Sequence, residues 1–67
     1  MTDFDAKIIL AYAEAGMRPS CAAKIAYCNK CTVYKHFGYI EMETGLNPRN
    51  FYDLIELVKM AKEVAFA

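Results

Sequence analysis

The stretch from Pro19 to Gly45, PSCAAKIAYCNKCTVYKHFGYIEMETG, constrains the fold more than any other part of the chain. Ser20 suits a helix N-cap, because its hydroxyl can accept from the free N–H groups of a first turn. Ala22, Ala23 and Ala26 then put small side chains along one face, which lets a second helix cross closely. Cys28-Asn29-Lys30 interrupts the pattern without proline, and Asn29 tolerates the left-handed backbone of a sharp corner. A second helix is expected from Cys31 or Thr32, with Val33, Phe37 and Ile40 at i, i+4 and i+7 as its inward stripe. Gly45 stands where a glycine would end it. A short helix, a tight turn and a longer helix spell a helix-turn-helix, whose second helix ordinarily enters the DNA major groove.

Charge sharpens this expectation. The chain as a whole is neutral, with 8 Lys+Arg against 8 Asp+Glu. The charges are nevertheless segregated. Residues 15–40 hold Arg18, Lys24, Lys30 and Lys35 with no acid, and His36 in addition. Residues 1–14 set Lys7 against Asp3, Asp5 and Glu14, and residues 41–67 set Arg49, Lys59 and Lys62 against Glu41, Glu43, Asp53, Glu56 and Glu63. A basic motif thus sits in an acidic frame, and the local field, not net charge, steers a polyanion.

Ser20-x-x-Ala23-Lys24, Thr32-Val33 and Ile40-Glu41 running into Thr44-Gly45-Leu46 carry a resemblance. From Ser20 to Leu46, without gaps, the chain is similar to the C-terminal helix-turn-helix of PucR and sugar-diacid-regulator type bacterial transcription factors. The similarity continues upstream through Ala11–Gly16 and more loosely into the last helix, covering roughly Ile8 to Met60. It implies a DNA-binding domain of the kind that usually follows a sensory region. The chain departs from the family in having Lys30-Cys31 where Arg-Asn commonly precedes Thr-Val. It also has Tyr34, His36 and Gly38 in a helix that is more arginine-rich elsewhere.

At 67 residues there is room for one domain. A core this small rarely stabilises by more than about 3–5 kcal/mol without metal, disulfide or oligomerisation. No apolar run reaches the roughly 18 residues of a membrane span, and Met-Thr-Asp-Phe-Asp lacks signal-peptide character. The expectation is a soluble, cytoplasmic protein. A first helix over 4–15 is capped by Thr2 or Asp3, suits Asp3 and Asp5 at its positive end, and stops at Gly16. Ile9, Tyr12 and Ala13 share one face, while Ile8 and Leu10 are expected against the last helix. That last helix starts at Asn47-Pro48, where Asn caps and Pro suits the first position, or at Asn50 with Asp53. Phe51, Leu54, Ile55, Val58, Ala61 and Ala65 form its expected core stripe. Leu57, Met60 and Val64 form a second stripe, assigned to a homodimer contact because one core does not need both.

Cys28-x-x-Cys31, with Cys21 and His36, offers four zinc-type ligands. The cysteine pair straddles the turn, however, and three cysteines without a secretory signal argue for reduced, space-filling thiols. No metal or cofactor is therefore expected. His36 has no nucleophile or acid at pairing spacing on its own helix, and no phosphate loop or metalloprotease motif is present. Catalysis is not expected.

The expected fold is all-α: helices over about 4–15, 20–27, 31–44 and 48–65, three in a helix-turn-helix core and the fourth packed across the first. The expected function is DNA binding in transcriptional regulation. Lys30, Cys31, Tyr34 and Lys35 are the expected groove residues. Thr32, Ser20, Arg18 and Lys24 are the expected phosphate contacts, with His36 and Tyr39 as secondary candidates. With no sensory region in view, a regulatory partner protein or the chain's own concentration would supply the signal. The runner-up is a protein–protein adaptor that binds through the apolar last helix. It draws on the neutral total, the tyrosines Tyr34 and Tyr39, and an apolar content of 57%.

Overall fold

The computed structural model describes residues 1–65 and the backbone of Phe66. Its first helix, α1 (Asp3–Glu14), is started by a reciprocal capping box. The Thr2 hydroxyl accepts from the Asp5 N–H and the Asp5 carboxylate accepts from the Thr2 N–H, each at 3.1 Å. Two orphan donors of the first turn are thereby satisfied at once. At its other end Gly16, at φ 67°, takes the left-handed conformation that closes a Schellman motif. There the Gly16 N–H donates to Ala13 O and the Met17 N–H to Tyr12 O.

The second helix, α2 (Pro19–Ile25), starts one residue ahead of Ser20. Pro19 occupies its first position, where a fixed φ and a missing N–H do no harm, and Arg18 is the cap residue without a side-chain cap bond. Ser20 is therefore not an N-cap. It stands exposed in the first turn. The left-handed corner lies two residues ahead of Asn29, the position expected for it. It falls on Tyr27, at φ 57°, in a second Schellman motif closed by Tyr27 N–H to Lys24 O and Cys28 N–H to Ala23 O. Such a backbone is strained for a bulky side chain.

Asn29 instead caps the third helix, α3 (Lys30–Thr44), from an extended backbone. Its side-chain oxygen accepts from the Thr32 N–H at 2.8 Å and from the Thr32 hydroxyl at 3.0 Å. Val33, Phe37 and Ile40 are buried as the stripe foretold. Gly45, at φ 75°, ends the helix by donating to Glu41 O. The last helix, α4 (Phe51–Phe66), takes the second of its two starts. Asn50 Oδ1 accepts from the Tyr52 and Asp53 N–H groups. Asn47 and Pro48 stay in the loop: Asn47 accepts from the Arg49 N–H and donates its own N–H to Asp53.

The fold is all-α, with no strand among the described residues. The helix α1 is central: it touches all three others and packs most extensively on α4, which lies against it. This explains why Ala6, Ile8, Ile9, Ala11 and Tyr12, spread around much of its circumference, are all buried. Tyr12 meets Phe37 edge-on at 4.7 Å between ring centroids, tying α1 to α3. No described helix is long and apolar enough to cross a membrane.

The orientation of α4 differs from the expectation. Leu54, Leu57 and Ala61 face the core, with Val58 and Val64 packed beside them, while Phe51 is 59% and Ile55 40% exposed. Leu57 is fully buried within one chain. It is thus a core residue and not part of a dimer seam. Met60 stays exposed and Val64 half-buried, so the stripe assigned to a homodimer loses its first residue to the core and keeps only Met60 in the open. The apolar arc of α4 is wide enough to accept a core on either edge, and α1 takes the Leu54–Leu57–Ala61 edge.

Candidate nucleic-acid interface

The geometry of the α2–α3 unit is set by the two Schellman bonds after α2, by the Asn29 cap, and by the burial of the small side chains Ala22 and Ala23. At about 100° per residue, the buried line Val33–Phe37–Ile40 leaves Cys31, Lys35, Gly38 and Met42 along the opposite, solvent-facing line of α3. Each of those four is exposed. Tyr34 and Tyr39 flank them, 37% and 52% exposed.

Lys24, Lys30 and Lys35 stand in solvent, as does Cys31. The Lys30 ammonium is 5.9 Å from the centroid of the Tyr34 ring. Arg49, which sequence alone placed in the acidic frame, joins them: its guanidinium lies 4.9 Å from the same ring. Tyr34 thus has two cations within about 6 Å of its ring and leans edge-on against Phe37. Arg49 borders a polar cleft of about 250 Å³ lined by Tyr34, Phe37, Gly38, Glu41, Asn47 and Arg49. The turn residues Asn47-Pro48-Arg49-Asn50 mark a loop, but nothing local in them signals that Arg49 meets α3.

Three expected contacts are placed differently. The Thr32 hydroxyl is bound to Asn29 Oδ1 in the helix cap, so it is not a free phosphate donor. Arg18 is turned back onto the end of α1: its Nε donates to Ala15 O at 3.2 Å, and its Nη2 lies beside Gly16. His36 is half-buried between α3 and α1. Its Nδ1 is 2.5 Å from Asp5 Oδ1, and its ring meets Phe4 edge-on at 4.8 Å and Tyr39 at 5.3 Å. Burial pushes the Asp5 carboxyl up, but hydrogen bonds from His36 and Thr2 outweigh it and hold the group below its ordinary value. Asp5 and His36 are therefore a structural tie and not groove residues. The N-terminal ammonium makes a second such tie, to Glu43.

Gly38 has no packing reason to be glycine. A Cβ there would meet nothing within 4 Å, and its φ is ordinary for a helix. Glycine in mid-helix destabilises by about 1 kcal/mol relative to alanine, so the exposed face of α3 carries a local cost with no intramolecular return. Cys21 and Cys28 are half-buried thiols and Cys31 an exposed one. Among the described residues no three His, Cys, Asp or Glu side chains come together as metal ligands would. Compared with family models, curated proteins and solved structures, the chain matches none.

Proposed function

We propose that the chain binds double-stranded DNA through α2 and α3, as a transcriptional regulator similar to the PucR and sugar-diacid-regulator helix-turn-helix domains. The observation that carries this reading is the exposed line of α3, Cys31, Lys35, Gly38 and Met42, with Lys30 and Arg49 beside it at Tyr34 and a further exposed cation, Lys24, on α2. Lys30, Cys31, Tyr34 and Lys35 occupy the first turns of α3, the part of a recognition helix that reads base edges. Lys24 on α2 and Arg49 in the loop after α3 are assigned to phosphates, which fix register and not sequence. Gly38 fits the same reading, since a missing side chain on an exposed helix face admits the close approach of another surface.

The test is a titration of bulk duplex into isotopically labelled protein at low salt, followed by backbone amide shifts. DNA binding through this face should move residues 20–25 and 30–42. Shifts confined to α4, or none, would overturn it.

A further inference from the structure

Between the end of α1 and the outer edge of α4 lies an open apolar groove of about 490 Å³. Met17, Phe51, Ile55 and Val58 form its walls, and Lys59 and Lys62 its polar edge. Arg18 adds a third cation, because its guanidinium rests against Gly16, itself part of the lining. No carboxylate lines the groove. Glu56 reaches Lys59 at 3.5 Å, but among the described residues neither Lys62 nor Arg18 has a carboxylate within 4 Å. No residue of α3 takes part, so the groove and the proposed DNA face can be occupied together.

We propose that this groove docks an acidic amphipathic helix from a partner protein, with apolar anchors along the trough and carboxylates against Arg18, Lys59 and Lys62. The walls offer what a helix-in-groove contact uses, a hydrophobic channel between two helices that accepts side chains spaced at i, i+3 or i+4, and i+7. The three cations decide the sign of the partner. A second copy of the chain is the weaker occupant on the same ground. A two-fold contact sets the same patch of both copies together and needs it to be self-complementary, and a groove edged by cations with no carboxylate in its lining is not. A small apolar acid is disfavoured by shape. Pockets that hold such molecules bury roughly 70–90% of the ligand surface, whereas this groove is more open than enclosed. The inference does not depend on DNA binding, which uses other residues.

The test uses the full chain and two synthetic helical peptides with the same leucine anchors, one flanked by glutamates and one by lysines, read by anisotropy and by backbone amide shifts. The acidic peptide should bind, move the amides of residues 13–17 and 51–62, and weaken as salt rises. Ile55→Glu, at a half-exposed wall position, should abolish binding while circular dichroism stays unchanged. Lys59→Glu with Lys62→Glu should weaken the acidic peptide by about tenfold, as expected for a few exposed ion pairs lost and repulsions gained, and should favour the basic one. Equal binding of both peptides, shifts elsewhere, or no binding would overturn the proposal. So would concentration-dependent shifts of residues 51–62 in the protein alone, which would make a second copy the occupant.

Discussion

His36 and Asp5 are 31 residues apart in sequence and 2.5 Å apart in the fold. Because its hydrogen bonds hold the folded-state pKa of Asp5 below the ordinary value, the ionised carboxylate contributes stability above the ordinary carboxylate range. That contribution is lost as pH falls from about 4 toward the lower folded value. Denaturant titrations should show wild-type stability dropping more steeply over this window than that of Asp5→Asn. Parallel pH profiles would contradict the pairing. Gly38 gives a second residue-scale expectation. Gly38→Ala should raise stability by about 1 kcal/mol and at the same time weaken duplex binding, by placing a methyl group on the exposed face of α3. A variant that gains stability with unchanged affinity would show that nothing approaches that face closely. Neither the Asp5–His36 pair nor the Tyr34–Arg49 contact was legible in the sequence. Both join segments that meet only after folding, and each residue has an adequate local explanation, a capping acid for Asp5 and a loop cation for Arg49.

At the scale of elements, local punctuation was readable and orientation was not. Thr2, Gly16, Gly45 and Asn50 act through bonds to neighbours a few residues away, so each stood among the candidates the sequence offers, with Asp3 competing with Thr2 and Asn47 with Asn50. Pro19 and Tyr27 moved the bounds of α2 because a proline at the first position and a strained corner each override the usual preferences of Ser20 and Asn29. The helix α4 is the harder case. Its apolar residues cover most of the arc, and periodicity gives the angle between Leu57 and Ile55 but not which of them meets α1. Stability should separate them. Leu57→Ala, which empties a fully buried site, should cost about 2–5 kcal/mol and remove most or all of the cooperative transition of so small a domain. Ile55→Ala should stay within about 0.5 kcal/mol. Thermal melts of the two variants decide the orientation, and the reverse order would restore Ile55 to the core.

For the whole molecule, the neutral total conceals a division of labour between surfaces. Lys24, Lys30, Lys35 and Arg49 belong to the α2–α3 side, and Arg18, Lys59 and Lys62 to the groove on α4. The all-α fold and the α2–turn–α3 unit were legible because they rest on short-range signals. The regrouping of cations was not, because Arg18 and Arg49 exchange sides only when the loops fold back. If the α2–α3 side lies on a polyanion, the salt dependence of duplex binding measures it most directly. Four phosphate contacts, one from each cation on that side, should give a slope of log K against log salt of about −3.6, at about −0.9 per contact. A slope flatter than about −1 would mean that this surface does not lie on DNA.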